Sequence, residues 1–184
     1  HSWGGFLAMA YAAWAPEEVS HLILIDSATP LFLDTSDYIE MRTKYSEEYA
    51  EMNRKDAEYS KTRDPQALRA SLVAYMKMLF YSPRRRDRFI AGSKNYTYSP
   101  RMNDLIAGDA IMYNLEPRLK KIDVPTLVVH GRHDFNISLK AATEKIVPAI
   151  ANAKLVVFEK SGHLPFFEEP EKFVREVNRF FAVK

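Results

Sequence analysis

HSWGGFLAMAYAAWAPEEVSHLILIDS, residues 1–27, holds in one stretch the two patterns on which the fold turns. Phe6, Met9, Ala10, Ala13 and Trp14 recur at helical spacing until Pro16 stops them. His21-Leu22-Ile23-Leu24-Ile25-Asp26 then forms a short continuous apolar run, the pattern of a strand buried on both faces. The same signal returns in Val124-Pro125-Thr126-Leu127-Val128-Val129-His130 and in Lys154-Leu155-Val156-Val157-Phe158. Between those two runs, Ser138 is placed to cap a helix carrying Leu139, Ala142, Ile146 and Ile150. After the third run, Pro170 opens a helix with Phe173, Val174, Val177, Phe180 and Phe181 assigned to one face. Strands alternating with helices at both ends of the chain predict an α/β fold with a parallel sheet.

The interior reads differently. Residues 31–118 show no strand pattern, so the chain divides into a core segment 1–30, a helical insertion 31–118 and a second core segment 119–184. Asp64-Pro65 starts a helix with Leu68, Leu72, Tyr75, Met76, Leu79 and Phe80 along one side, and Ser99-Pro100 repeats the device ahead of Leu105, Ile106 and Ile111. Tyr38, Met41, Tyr45, Tyr49 and Met52 make an aromatic stripe that suits either a packing face or a pocket wall. Nine acids crowd residues 34–64, whereas Arg84, Arg85, Arg86 and Arg88 form a basic cluster that reads first as a solvated face.

Composition narrows the function. The 184 residues contain no cysteine, which excludes thiol nucleophiles, Cys-ligated metals and disulfides. A net charge of +2 does not point to nucleic acid or an anionic membrane surface, and no apolar run is long enough to span a bilayer. A cysteine-free chain of this kind suits the cytoplasm. Only 6 residues are glycine where average usage gives about thirteen. Gly4 and Gly5, Gly131 and Gly162 lie next to a Ser, an Asp and a His, and each marks an expected sharp or positive-φ turn.

Ser2, Asp134 and His163 therefore draw attention together. Ser2 stands before a helix in Ser2-Trp3-Gly4, matching the later part of the nucleophile elbow G-x-S-x-G. Asp134 and His163 each follow a predicted parallel strand, where open α/β sheets place their ligands. A serine hydroxyl needs a base to take its proton, and the imidazole needs a carboxylate to hold its tautomer. The order Ser2, Asp134, His163 is that of α/β-hydrolases. The Trp3 amide, at the helix N-terminus, is the candidate oxyanion donor. Asp26 is the rival acid, and His130 and His133 are rival bases; His130 lies within an apolar strand and His133 adjoins the acid. His1 is assigned a structural role. No paired histidine spacing suggests a metal, and no cofactor is implied.

Residues 1–27 resemble the elbow, helix and following strand of an α/β-hydrolase. VPTLVVHGRHDFNIS (124–138) and LVVFEKSGHLPFFEEPEKFVREVNRFF (155–181) resemble its acid and histidine ends. The insertion resembles the lid of the proline iminopeptidase group. The resemblance covers the C-terminal portion of the family's fold and implies a serine hydrolase, an aminopeptidase acting on small peptides. It also implies lid acids that hold the substrate's ammonium group, with Glu47, Glu48 and Glu51 as candidates. The alternatives are an esterase or carbon–carbon bond hydrolase with the same triad, or a non-catalytic fragment of the fold. Because the early strands and the loop supplying a second oxyanion donor are absent, roughly 100 or more upstream residues are expected, in the same chain or in a partner half.

Overall fold

The computed structural model describes residues 1–29, 35–96, 99, 101, 105 and 113–182. Its described strands are β1 (Leu22–Ile25), β2 (Thr126–Gly131) and β3 (Ala153–Phe158). They form one parallel sheet in the order β1-β2-β3, with Leu24 opposite Val128 and Val128 opposite Leu155. The central strand β2 is buried along its whole length, which explains its unbroken apolar sequence.

Side chains alternate across this sheet, and each face has its own cover. On one face Leu22, Leu24 and Val128 pack with Phe6, Met9 and Ala12 of α1 (Trp3–Trp14), with Leu119 of α6 (Glu116–Leu119) and with Ile146. On the other, Leu127, Val129 and Phe158 meet Phe173, Val177 and Phe180 of the C-terminal helix α9 (Pro170–Ala182), which follows the short α8 (Pro165–Glu168). Leu24 and Met9 are fully buried. Truncating either to alanine would cost about 2–5 kcal/mol.

Three expected faces need correction at their edges. Trp14 is 76% exposed, so the buried stripe of α1 runs through Ala12 and Ala13 instead. Val174 and Phe181 are also exposed, leaving Phe173, Val177 and Phe180 as the packing face of α9. The helix after Ser138 widens into a π-helical stretch at Ala141–Ile146 before α7 (Val147–Ala149), although Ala142, Ile146 and Ile150 are buried as the pattern requires.

Between β1 and β2 the described secondary structure is helical. It comprises α2 (Thr35–Lys44), α3 (Ser46–Thr62), α4 (Pro65–Met78) and α5 (Pro83–Gly92), besides α6. Asp64 caps α4 by accepting the Gln66 N–H, and Ser82 caps α5 by accepting that of Arg85. The arginine cluster thus lies on a capped helix. Tyr45 falls at the break between α2 and α3, so the tyrosine stripe spans two helices; its Tyr38 and Met41 side chains lie outside the described set. The helix expected after Ser99-Pro100 falls largely outside the described residues. Among those described, no helix is long and apolar enough to cross a membrane.

Candidate active site

Ser2 precedes α1 with φ 53 and ψ −127, a conformation that non-glycine residues rarely adopt. Its N–H donates to the Ile25 carbonyl at 2.8 Å, which ties the turn to the end of β1. An N-terminal serine usually folds its hydroxyl back onto the helix, yet Ser2 makes no such capping bond. The strained turn therefore leaves Oγ without a bond to the helix amides. Trp3 takes the first helical position, where an N–H has no acceptor within the helix.

The glycines serve close approach here. No described glycine has positive φ, contrary to the expectation for these turns; Ser2, Asp26 and Arg63 hold that conformation instead. A Cβ on Gly5 would lie 1.8 Å from Ser27 Oγ, one on Gly131 1.9 Å from the Gly162 carbonyl, and one on Gly162 2.4 Å from that of Leu79. Gly4 faces open space. The bare backbone at 131 lets the end of β2 touch the loop after β3, and that at 162 lets the same loop touch the segment after α4; Asp134 follows the first and His163 the second.

His163 Nδ1 lies 2.7 Å from Asp134 Oδ2, with both side chains buried. Asp134 Oδ1 accepts the N–H groups of Asn136 and Ile137 at 2.8 and 3.0 Å. Burial alone would raise its pKa. The His163 charge and hydrogen bond, aided by His130 and the Ile137 amide, outweigh that and hold Asp134 below the usual carboxylate range. The histidine backbone is fixed as well: its N–H donates to Leu79 O, and its carbonyl accepts from His1 Nε2, each at 2.8 Å. His1 also packs its ring 4.7 Å from that of His163.

Two further acids hold this loop. Buried Glu168 accepts the N–H of Gly162 at 2.6 Å, of Ser82 at 2.8 Å and of Tyr81 at 3.2 Å. Glu169 accepts from the Lys160 N–H and the Ser161 hydroxyl. Glu168 therefore joins the histidine loop to the link between α4 and α5. Sequence reasoning missed it, because a Glu-Glu-Pro run reads as a solvated helix start.

Ser2 and His163 both line a cavity of about 460 Å³, walled chiefly by Leu72, Met76, Leu79, Phe89 and Phe166. The large residues of α4, read as a packing face, supply this wall. The residues that α4 buries are Ala67, Ser71, Ala74, Met76 and Met78, so Met76 belongs to both the core and the wall. Among the described residues no carboxylate lines the cavity. In the first turn of α3 Glu47 is exposed and Glu48 half-buried, and Glu51 pairs with Arg54.

The rivals have other surroundings. His130 donates from Nε2 to the Ile137 carbonyl at 2.9 Å, and burial lowers its pKa. His133 stacks on Tyr81 at 4.3 Å. Asp26 is buried and accepts the Gly131 N–H at 2.8 Å. Asp26, Asp134 and His163 each bring one potential ligand atom to within 4.8 Å of the others. A metal there would have to displace the Asp134–His163 hydrogen bond, so the donor set fits proton handling better than ion binding.

Similarity to known proteins agrees with this geometry. The chain is 31% identical over 193 residues to a 2-hydroxymuconate semialdehyde hydrolase of Pseudomonas putida, covering 99% of this chain and 60% of that protein. It is 24% identical over 187 residues to a proline iminopeptidase of Saccharolobus solfataricus, covering 98% of this chain and again 60% of the relative. An alpha/beta fold family hydrolase from Bacillus anthracis superposes with a TM-score of 0.78 at 28% identity, over 98% of this chain and 65% of that structure. The chain thus spans less than two thirds of the length of these relatives. Residues 1–170 match the family model of the alpha/beta hydrolase fold, and the chain belongs to that family.

Proposed function

We propose that this chain carries the reacting groups of a serine hydrolase that cleaves small carboxylic esters with an apolar acyl group. The observation that carries the reading is the apolar cavity shared by Ser2 and His163, whose volume suits a small molecule. In this mechanism His163 Nε2 takes the Ser2 Oγ proton as Oγ attacks the ester carbonyl. Asp134 holds Nδ1–H and balances the imidazolium, and the Trp3 N–H stabilises the developing oxyanion. Collapse releases the alcohol with the proton from His163 and leaves an acyl group on Ser2. A water molecule, deprotonated by His163, attacks that acyl-enzyme, and release of the acid restores Ser2. Segment 31–118, through α4 and α5, acts as the lid that selects the acyl group.

The aminopeptidase reading draws on the likeness to the Saccharolobus solfataricus enzyme. It requires a carboxylate near the substrate's ammonium group, and Glu47, Glu48 and Glu51 do not line the described cavity. Comparing p-nitrophenyl esters of short apolar acids with prolyl p-nitroanilide decides between them. The ester reading predicts turnover of the esters and none of the anilide; the reverse preference would overturn it.

A further inference from the structure

Asp26 is a buried carboxyl that the mechanism above does not use. It follows β1 at φ 42, a backbone conformation that side chains other than glycine seldom adopt. This turn sends the carboxyl beneath the loops after β2 and β3, where it is fully inaccessible. Oδ1 accepts the Gly131 N–H at 2.8 Å. Oδ2 is buried and meets no donor. His130 cannot supply one through Nε2, which stands 3.8 Å from Asp26 and 3.9 Å from Asp134 but gives its proton to Ile137. Asp134 is the neighbouring carboxylate, already tied to His163.

Two carboxylates held side by side away from water cannot both ionise cheaply, and one proton between them turns repulsion into a hydrogen bond. Asp134 has reasons to keep its charge, since His163 and two amide N–H groups converge on it. Asp26 has one amide and an oxygen without a donor. We propose that Asp26 is a neutral carboxylic acid whose Oδ2–H donates to Asp134, making it a positioning residue for the triad's acid. Its kinetic consequences rest on the serine hydrolase reading; its protonation does not.

The surrounding groups are consistent with this assignment. Burial and the charge of Asp134 push the Asp26 carboxyl well above the usual carboxylate range, and Glu168 adds to the effect. His130 is held toward its neutral form by burial, so it offers no positive charge to oppose the shift. A neutral Asp26 leaves a single carboxylate facing His163 when the imidazole takes a proton. The strained turn at Asp26 aims the donor that keeps that carboxylate in place.

Infrared difference spectroscopy on the protein at its natural length, wild type against Asp26→Asn, tests the proton directly. A protonated-carboxyl carbonyl band at about pH 7, lost on substitution, is expected. Asparagine keeps an N–H donor where alanine has none. Asp26→Asn should therefore retain at least about a third of kcat, whereas Asp26→Ala should lose roughly tenfold with KM unchanged. Alanine should also move the acidic limb of kcat/KM to higher pH, because an unsupported Asp134 holds positive charge on its partner more strongly. Absence of the band, or its persistence in Asp26→Asn, would overturn the proposal, as would equal impairment of the two variants. If no ester is turned over at all, the serine hydrolase reading fails and the band still decides where the proton sits.

Discussion

Removing the Glu168 carboxylate should damage stability and turnover together. The side chain accepts three backbone N–H groups, of Gly162, Ser82 and Tyr81, and Glu168→Ala removes all three hydrogen bonds. A buried donor left unpaired costs about 1–3 kcal/mol, although water can rescue those nearest the surface. Tyr81 is exposed and Ser82 half-buried, so the Gly162 amide carries most of the penalty. A lost buried methylene adds about 0.8 kcal/mol, giving roughly 3 kcal/mol in total. For a protein of this size the melting temperature should fall by about 6–12 °C. Gly162 immediately precedes His163, so kcat should fall more than KM rises; displacing a catalytic group by about 1 Å can cost 10²-fold. Glu168→Gln keeps the oxygen serving Gly162 and Tyr81 but turns an amide donor toward Ser82, so its losses should be intermediate. Thermal melts by circular dichroism and ester kinetics on the protein at its natural length provide the assay. A Glu168→Ala variant with wild-type melting and turnover would refute the clamp.

Three further perturbations have defined outcomes. Gly131→Ala would press a Cβ into two carbonyl oxygens that cannot move aside, costing about 3 kcal/mol, whereas Gly4→Ala meets nothing and should be neutral or gain about 0.5 kcal/mol; equal melting temperatures would contradict this. Leu72→Trp should narrow the cavity and cut kcat/KM for longer acyl p-nitrophenyl esters at least about tenfold while sparing the acetate, so a uniform effect would count against α4 as its wall. In denaturant titrations, Asp26, raised in the folded state, loses stability as pH climbs from the ordinary carboxylate range through its folded value. Asp26→Asn should therefore gain on wild type over that interval. Asp134, lowered when folded, stabilises above its unfolded value and loses this in acid, so Asp134→Asn should be weaker at neutral pH with the gap closing in acid.

The sheet was legible because parallel strands buried on both faces leave unbroken apolar runs: Leu22–Ile25 lies within its run, and Thr126–Gly131 passes the end of its own by one residue. Asp134 and His163 were legible through the strand ends that carry them. Trp14 misled because helical period says which residues align, not how wide the neighbouring surface is. The α4 face from Leu72 to Leu79 was legible only in part: Met76 is buried as a packing face requires, but cavity walls and cores use the same apolar residues, and only the position of Ser2 separates them. Glu168 left no trace, since its partners are backbone amides far along the chain. The glycines pointed to the right loops for the wrong reason, as the crowding around Gly131 and Gly162 comes from segments distant in sequence.

The central claim is that Ser2 becomes acylated with His163 as its base. Treating the protein with a fluorophosphonate and mapping the adduct by peptide mass spectrometry tests it most directly. A single adduct on Ser2 is predicted, absent in Ser2→Ala and formed far more slowly in His163→Ala. A folded protein that takes no label, or takes it on another serine such as Ser27 or Ser161, would contradict the account.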